Sequence, residues 1–117
     1  MSMIEKIPDP IDLLSFFESE PFFSDEVDHR YGYAHCDNQG MKLVFSYAAL
    51  EGWIQTTIEY NGEIISQHLS EGVESFELKS ELKGEYLCSE IKHTDSVTQV
   101  EIRLKPFISI KWNTLIT

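Results

Sequence analysis

The first apolar residues of the chain recur with the period of a helix. Positions 10, 13, 14 and 17 have the i, i+3, i+4, i+7 spacing of one helix face. Asp9 stands at the N-cap position and Pro10 at the first helical position, where the missing proline N–H has no helical partner. Pro21 is expected to end the helix, because the residue before a proline avoids the α region. The pattern therefore predicts one short helix, after which Phe22 and Phe23 enter the core.

Beyond residue 24 the apolar positions alternate with polar ones, as in strands. Turn-forming residues occupy positions 37–40, 51–52 and 93–96. Asn61-Gly62 is the strongest hairpin signal, because both residues of such a turn take positive φ. Positions 79–84 are expected to form a loop or one helical turn. Strands are predicted at 27–35, 41–47, 53–60, 63–69, 86–91, 97–104 and 107–112, with a further short strand possible at 73–78.

This order of elements defines a fold class. Strands do not alternate with helices, which excludes a doubly wound α/β fold. A short N-terminal helix followed by about seven antiparallel strands predicts a mainly β (α+β) fold, arranged as a sandwich or a strongly curved sheet. The length of 117 residues corresponds to one core, so residues 1–117 are expected to form a single domain.

The ends and the cysteines of the chain indicate its compartment. The N-terminus lacks the basic and apolar regions of a signal peptide. No apolar run approaches the ~20 residues of a membrane span. The protein is therefore expected to be soluble and cytoplasmic. Cys36 and Cys88 are expected to be free thiols, buried or half-buried, because disulfides are rare in a reducing cytosol.

Residues with catalytic or metal-binding chemistry lack the spacing that such chemistry requires. His29 and His35 would share a strand face but lie about 20 Å apart at ~3.3 Å per residue, too far to share one ion. Asp25, Glu26 and Asp28 match no calcium-loop spacing, and a solvated cluster is the favoured interpretation. No serine-nucleophile or phosphate-loop motif occurs. We therefore expect no metal, no cofactor and no enzymatic activity, with an enzyme site assembled from distant residues as the remaining alternative.

The charge of the chain is strongly negative and unevenly distributed. The net charge is −11; residues 1–90 hold 18 acids and 5 bases, whereas residues 91–117 hold 2 acids and 4 bases. An acidic surface repels phosphates, which argues against direct nucleic-acid and membrane binding. Acidic composition by itself keeps a small protein soluble. The sharper interpretation is electrostatic attraction of a basic partner, and basic surfaces are typical of nucleases and nucleic-acid-binding proteins.

Three segments carry a resemblance to a known family. They are residues 9–17 (DPIDLLSFF), residues 41–46 (MKLVFS) and the hairpin 53–65 around Asn61 and Gly62. In a small, acidic, mostly β chain, this general layout resembles the immunity proteins of bacterial contact-dependent growth inhibition and related polymorphic toxin systems. The resemblance implies a binding protein that occludes the active site of a cognate toxin, often a nuclease, in the cell that makes both.

Stoichiometric inhibition is the mechanism that we expect from this resemblance. Carboxylates would mimic phosphates against the Lys and Arg side chains of the toxin, and aromatic side chains would bury in its cleft. Charge density and placement in exposed loops select the expected toxin-binding residues, which are Asp25, Glu26, Asp28, Glu74, Glu77, Glu81 and Glu85, with Tyr31 and Tyr33 as aromatic anchors.

The alternative function is a small-ligand-binding or adaptor β-domain within a larger complex. Such a domain would use a pocket between the sheets, lined by Trp53, Trp112 and tyrosines. A sizeable apolar cavity at that position would favour this alternative, whereas a basic protein partner would favour inhibition.

Overall fold

A computed structural model describes residues 3–116 of the chain. Within these residues one helix precedes nine strands, two more than the approximate count predicted from the sequence. The elements are α1 (Pro10–Phe17), β1 (Phe23–Asp25), β2 (Arg30–Cys36), β3 (Met41–Ala48), β4 (Trp53–Tyr60), β5 (Glu63–Glu71), β6 (Val73–Glu81), β7 (Gly84–Lys92), β8 (Ser96–Arg103) and β9 (Ser109–Ile116).

The strands form two antiparallel sheets that pack face to face. The first sheet has the order β1-β2-β3-β4-β5 and the second has the order β6-β7-β8-β9. Every strand within a sheet therefore neighbours the next strand along the chain. This arrangement confirms the predicted mainly β fold with a short N-terminal helix, and among the two predicted forms it is the sandwich.

Aromatic side chains fill the space between the sheets. Phe45 of β3 lies edge-on to Phe76 of β6, with 5.4 Å between ring centroids. On the other side, Phe17 of α1 stacks on Tyr33 of β2 at 4.9 Å and lies 6.0 Å from Phe45. The second sheet therefore covers β3 while the helix covers β2, so the five-stranded sheet has two different coverings on one face. Leu13, Phe16 and Phe17 are the helix residues that this packing buries.

The helix and the residues after it differ from the prediction in two ways. The helix ends at Phe17, because Glu18 takes a left-handed conformation (φ 58°) three residues before Pro21. Phe22 and Phe23 do not enter the core and are 65% and 46% exposed. The Phe22 ring lies over Gly32, where a Cβ atom would approach it to 2.9 Å. Gly32 therefore makes room for an aromatic ring on the outer face of the sheet.

Several strand boundaries also differ from the predicted ones. Residues 26–29 form a turn rather than the start of β2, and His29 has a positive φ of 53°. The segment at 79–84, predicted as a loop or one helical turn, instead continues β6 to Glu81 and reverses through Leu82 and Lys83. In β7 the odd positions Leu87, Ser89 and Ile91 are buried. Of the free cysteines, Cys88 is half-buried as expected, but Cys36 is exposed.

The N-terminal segment ties the two sheets together before the helix begins. The Ile4 N–H donates to the carbonyl of Ala49 beside the first sheet, and the Glu5 N–H donates to the carbonyl of Glu74 in β6. Lys6 then forms a parallel bridge with Ser75. The edge of β6 is therefore partly covered by the chain itself. No helix among residues 3–116 is long and apolar enough to cross a membrane.

Gly72 alone separates β5 of one sheet from β6 of the other. Its φ is +77°, and a Cβ atom there would lie 2.8 Å from the carbonyl oxygen of Lys92. The Gly72 carbonyl in turn accepts a hydrogen bond from the Lys92 N–H at 3.0 Å. The crossing between the sheets thus needs both the left-handed conformation and the absent side chain of glycine.

We predict that Gly72→Ala destabilises the fold more than Gly62→Ala. Both glycines have positive φ, which costs an alanine about 1–2 kcal/mol. At Gly62 a Cβ atom meets nothing within 4 Å, whereas at Gly72 it meets backbone. Overpacking should add about 1–3 kcal/mol at Gly72. Urea unfolding of both variants measures this difference, and equal losses of unfolding free energy would contradict the assigned role of Gly72.

Candidate functional site

One end of the sandwich gathers carboxylates from four turns and the N-terminal segment. The register of the first sheet places Asp25, Arg30, Ala48, Trp53 and Glu71 in one row across its five strands. The turns β1–β2 and β3–β4, the β5–β6 crossing and the β7–β8 turn therefore lie at this end. We call it the acidic end and define it by eight acids: Glu5, Asp25, Glu26, Asp28, Glu51, Glu71, Glu74 and Asp95.

The Lys and Arg side chains among the described residues of the acidic end are already paired. Arg30 Nε donates to Glu51 at 2.6 Å, and this hydrogen bond raises the pKa of Arg30. Lys92 Nζ lies 3.1 Å from Glu74, which raises the pKa of Lys92. These two pairs leave six carboxylates without an Arg or Lys partner among residues 3–116. The surface of this end is therefore strongly negative.

The β1–β2 turn that presents three of these acids has a defined structure. Asp25 Oδ1 accepts hydrogen bonds from the backbone N–H groups of Val27 and Asp28, both at 3.1 Å. The Asp25 side chain thus stabilises the turn by hydrogen bonding to its backbone. Glu26 and Asp28 are exposed, as is Val27 at 86%. The turn consequently projects two carboxylates and one apolar side chain away from the sheet.

A cleft of about 540 Å³ opens beside this turn, between the helix and the inner face of the first sheet. Tyr31, Tyr33 and Tyr47 line it on the side of the sheet, and Tyr31 lies 5.4 Å from Tyr47 between ring centroids. Glu20 and Glu26 contribute its carboxylates, and the lining contains no Lys or Arg. We call it the tyrosine cleft. Its remaining walls are Ile7, Pro8, Pro10, Ile11, Leu14, Pro21, Ser24, His29 and Ala49.

Burial controls the ionisation of two tyrosines in this cleft. Desolvation raises the pKa of Tyr47 well above its ordinary value of 10.0. Desolvation also raises the pKa of Tyr33, and the nearby carboxylate of Glu20 adds to that effect. Both side chains therefore stay neutral phenols, with an apolar ring and a polar hydroxyl.

The structure divides the residues predicted to bind a toxin between two ends of the molecule. Asp25, Glu26, Asp28 and Glu74 lie at the acidic end, and Tyr31 lines the adjoining cleft. Glu81 and Glu85 flank the β6–β7 turn at the opposite end, about 23 Å from Glu74 for seven residues of strand. Glu81 pairs there with Arg103.

Two further predicted residues have neighbours that limit their access to a partner. Glu77 lies on β6 beside the cavity at Asp9 and Asp12, and it pairs with Lys6 at 3.0 Å. Tyr33, predicted as an aromatic anchor, is only 2% exposed because its ring stacks on Phe17, and it forms a wall of the cleft.

Four acids of the acidic end were not among the toxin-binding residues predicted from the sequence. They are Glu5, Glu51, Glu71 and Asp95. Glu51 and Asp95 lie in turns, and Glu71 ends β5. A signal for them exists in the predicted order of strands. Because antiparallel neighbours reverse direction, alternate turns of a meander meet at one end. If the acids in every second turn of the predicted meander are counted together, instead of those in successive stretches of chain, the acids of the acidic end are identified as one group.

The structure also bears on two other predictions from the sequence, which concern a metal site and a pocket between the sheets. No group of three or more His, Cys, Asp or Glu side chains within residues 3–116 has metal-binding geometry. Trp112 is half-buried against His68, with 4.3 Å between ring centroids, where β9 meets β5. The tyrosine cleft lies at the helix instead, and neither Trp53 nor Trp112 lines it. Of the residues predicted to line a pocket between the sheets, this cleft therefore has tyrosines but neither tryptophan.

Fold and site together define a class: a small β-sandwich with a charged, aromatic surface suited to contact with another protein. No family model and no curated protein sequence matches the chain. A solved structure described as "Contact-dependent growth inhibition toxin - immunity protein complex from Klebsiella pneumoniae 342" contains a similar chain. The two are 34% identical, the match covers 98% of this chain and 100% of that chain, and the TM-score is 0.91.

This likeness extends over nearly the whole of both chains in sequence as well as in fold. The chain therefore belongs to the immunity proteins of bacterial contact-dependent growth inhibition systems. The resemblance carried by residues 9–17, 41–46 and 53–65 is thereby confirmed.

We predict that stability falls at alkaline pH through the tyrosine cleft. A phenol whose pKa is raised on folding contributes stability below its unfolded pKa, near 10.0, and loses that contribution as pH rises further. The unfolding free energy of the protein should therefore fall above pH 10.0, and Tyr47→Phe should reduce that fall. Urea unfolding between neutral and alkaline pH measures the effect. An identical pH dependence in both proteins would contradict the assigned environment of Tyr47.

Proposed function

We propose that this protein binds the toxin domain of its own growth-inhibition system and blocks the active site of that toxin. It acts as a stoichiometric inhibitor rather than a catalyst, in the cytoplasm of the cell that makes both proteins. The toxin that it fits best is a nuclease with a basic active-site surface. The observation that carries this proposal is the acidic end, where, within residues 3–116, six of eight carboxylates have no Lys or Arg partner.

Electrostatics supports a basic partner at this end. A nuclease binds a polyanion and therefore lines its active site with Lys and Arg. Carboxylates held in the turns of a rigid sandwich can occupy the places of the phosphates. Complementary charge accelerates encounter by about 10- to 10³-fold at low salt. The pairing of Arg30 with Glu51 and of Lys92 with Glu74 keeps local cations from opposing that attraction.

The tyrosine cleft supplies the apolar part of the proposed interface. Charges at a rim mainly set the association rate, whereas buried aromatic contacts set how slowly a complex dissociates. Tyr31 is half-buried, so its ring already has a fixed position, and Ile11 and Leu14 extend the apolar wall toward solvent at 77% and 37% exposure. We therefore place the centre of the interface at this cleft and its charged rim at the β1–β2 turn.

Inhibition of the cognate toxin domain tests the proposal. Added protein should abolish nucleic-acid cleavage by that domain at one equivalent, because a stoichiometric inhibitor occupies one active site. Residual cleavage at several equivalents would contradict stoichiometric inhibition. A toxin domain that does not cleave nucleic acid would contradict the proposal that the toxin is a nuclease.

We predict that Glu26→Lys and Asp28→Lys each slow association with the toxin domain by about threefold to tenfold at low salt. Stopped-flow or surface plasmon resonance measures this rate, and the difference from wild type should shrink at high salt because charge is screened.

Glu85→Lys is the matched control for these charge reversals. Glu85 is an exposed carboxylate at the opposite end, and the substitution changes the net charge equally. Its association rate should stay close to that of wild type. An equal slowing by all three variants would show that net charge, rather than the acidic end, attracts the toxin.

We predict that Tyr31→Ala weakens the complex mainly through faster dissociation. Loss of a central aromatic contact costs about 2 kcal/mol, which corresponds to about a 30-fold rise in Kd. Tyr60→Ala is the control, because Tyr60 is 46% exposed and ends β4 at the opposite end. Thermal unfolding establishes that both variants fold. A Kd unchanged by Tyr31→Ala, or raised equally by both variants, would remove the cleft from the interface.

A further inference from the structure

β5 is an edge strand that is exposed along its whole length. Eight of its nine residues are exposed and Ser70 is half-buried. Ile64, Ile65 and Leu69 are 60%, 59% and 47% exposed. Only β4 pairs with it among the described strands, so its outer row of backbone N–H and C=O groups faces solvent.

The other three sheet edges carry protections that β5 lacks. β1 is only three residues long, β6 is partly covered by the N-terminal segment, and Lys111 lies within β9. Short length, a covering segment and lysine are the devices by which natural edges avoid pairing with other chains. The interior of β5, residues 64–70 (IISQHLS), contains no Lys, Arg, Asp, Glu or Pro. This edge is therefore left open to pairing.

The open edge is regular where it approaches the acidic end. A register shift interrupts the β4–β5 pairing at Ile58 and Glu59, opposite the start of β5. From Ser66 to Glu71 the pairing with β4 is continuous. Glu71 is also a member of the acidic end. The regular half of the edge and the proposed toxin-binding surface are thus continuous with each other.

Charge distinguishes between the two occupants that such an edge could accept. Full-length antiparallel pairing with a second copy would set Glu63 opposite Glu71 at both ends of the new ladder. Like charges directly opposite each other destabilise a strand pair, and the two chains would each carry −11. An extended segment with apolar residues at its centre and Lys or Arg beside Glu71 would meet no such repulsion.

We infer that β5 is a docking edge to which an extended segment of the partner toxin adds as a sixth strand of the first sheet. This inference rests on the proposed function, because the cationic partner that the edge selects is the toxin. Backbone hydrogen bonds along Ser66–Glu71 would hold the segment, and Leu69 would contact its apolar residues. The segment would extend the interface from the acidic end along one side of the sandwich.

Amide hydrogen exchange of this protein tests the inference, with the cognate toxin domain as the probe. The free protein should exchange outward-facing amides of residues 66–71 rapidly, and the complex should protect them. Leu69→Lys should raise the Kd about tenfold or more. Leu82→Lys is the control, since Leu82 is fully exposed in the β6–β7 turn and the substitution makes the same chemical change.

The other outcomes distinguish failure of this inference from failure of the proposed function. A complex that forms without protection of residues 66–71, and that tolerates Leu69→Lys, would overturn the docking edge and leave the proposed function intact. Protection that increases with protein concentration in the absence of toxin would assign the edge to a second copy. Absence of any complex would overturn both the proposed function and the inference.

Discussion

The reversal of direction between successive strands is the constraint from which the negative surface of the acidic end follows. Each strand of a sheet pairs with the next along the chain, so alternate turns meet at the same end of the sandwich. Gly72 extends this alternation across the two sheets, because it turns the chain from β5 into β6 without a loop. Acids separated by up to 90 positions, from Glu5 to Asp95, thereby form one negative surface. No long loop or bound group is required to assemble it.

The helix gives the same end its aromatic cleft. The five-stranded sheet is wider than the four-stranded sheet that covers it, and the helix covers the remaining part of its inner face. The helix fits this position by burying Leu13, Phe16 and Phe17, and its N-terminal half lines a cleft together with Tyr31 and Tyr47. The resulting cleft adjoins the acidic turn. A surface with charges at its rim and fixed aromatic rings beside them is suited to rapid encounter and slow dissociation.

The sequence predicts local structure here better than it predicts which residues come together. Asn61-Gly62 takes the left-handed conformations that its hairpin requires, and the strand predicted at 53–60 is found at Trp53–Tyr60. Phe22 was misplaced, because nothing in its own neighbourhood reveals that Gly32 leaves room for its ring on the outer face. Glu81 and Glu74 appeared equivalent by charge density, yet the strand between them holds them at opposite ends. Exposure along β5 was equally hidden, because its apolar residues resemble those of a buried strand until the neighbouring strands are known.

The proposed function requires the acidic end to face the toxin, and carboxyl footprinting of the complex tests this orientation directly. A carbodiimide and an amine label exposed Asp and Glu side chains, and mass spectrometry compares labelling with and without the toxin domain. We expect the toxin to protect Glu26, Asp28 and Glu71 and to leave Glu81 and Glu85 as reactive as in the free protein. Protection of Glu81 and Glu85 with unchanged labelling of Glu26 and Asp28 would place the toxin at the opposite end. That result would contradict the proposed role of the acidic end.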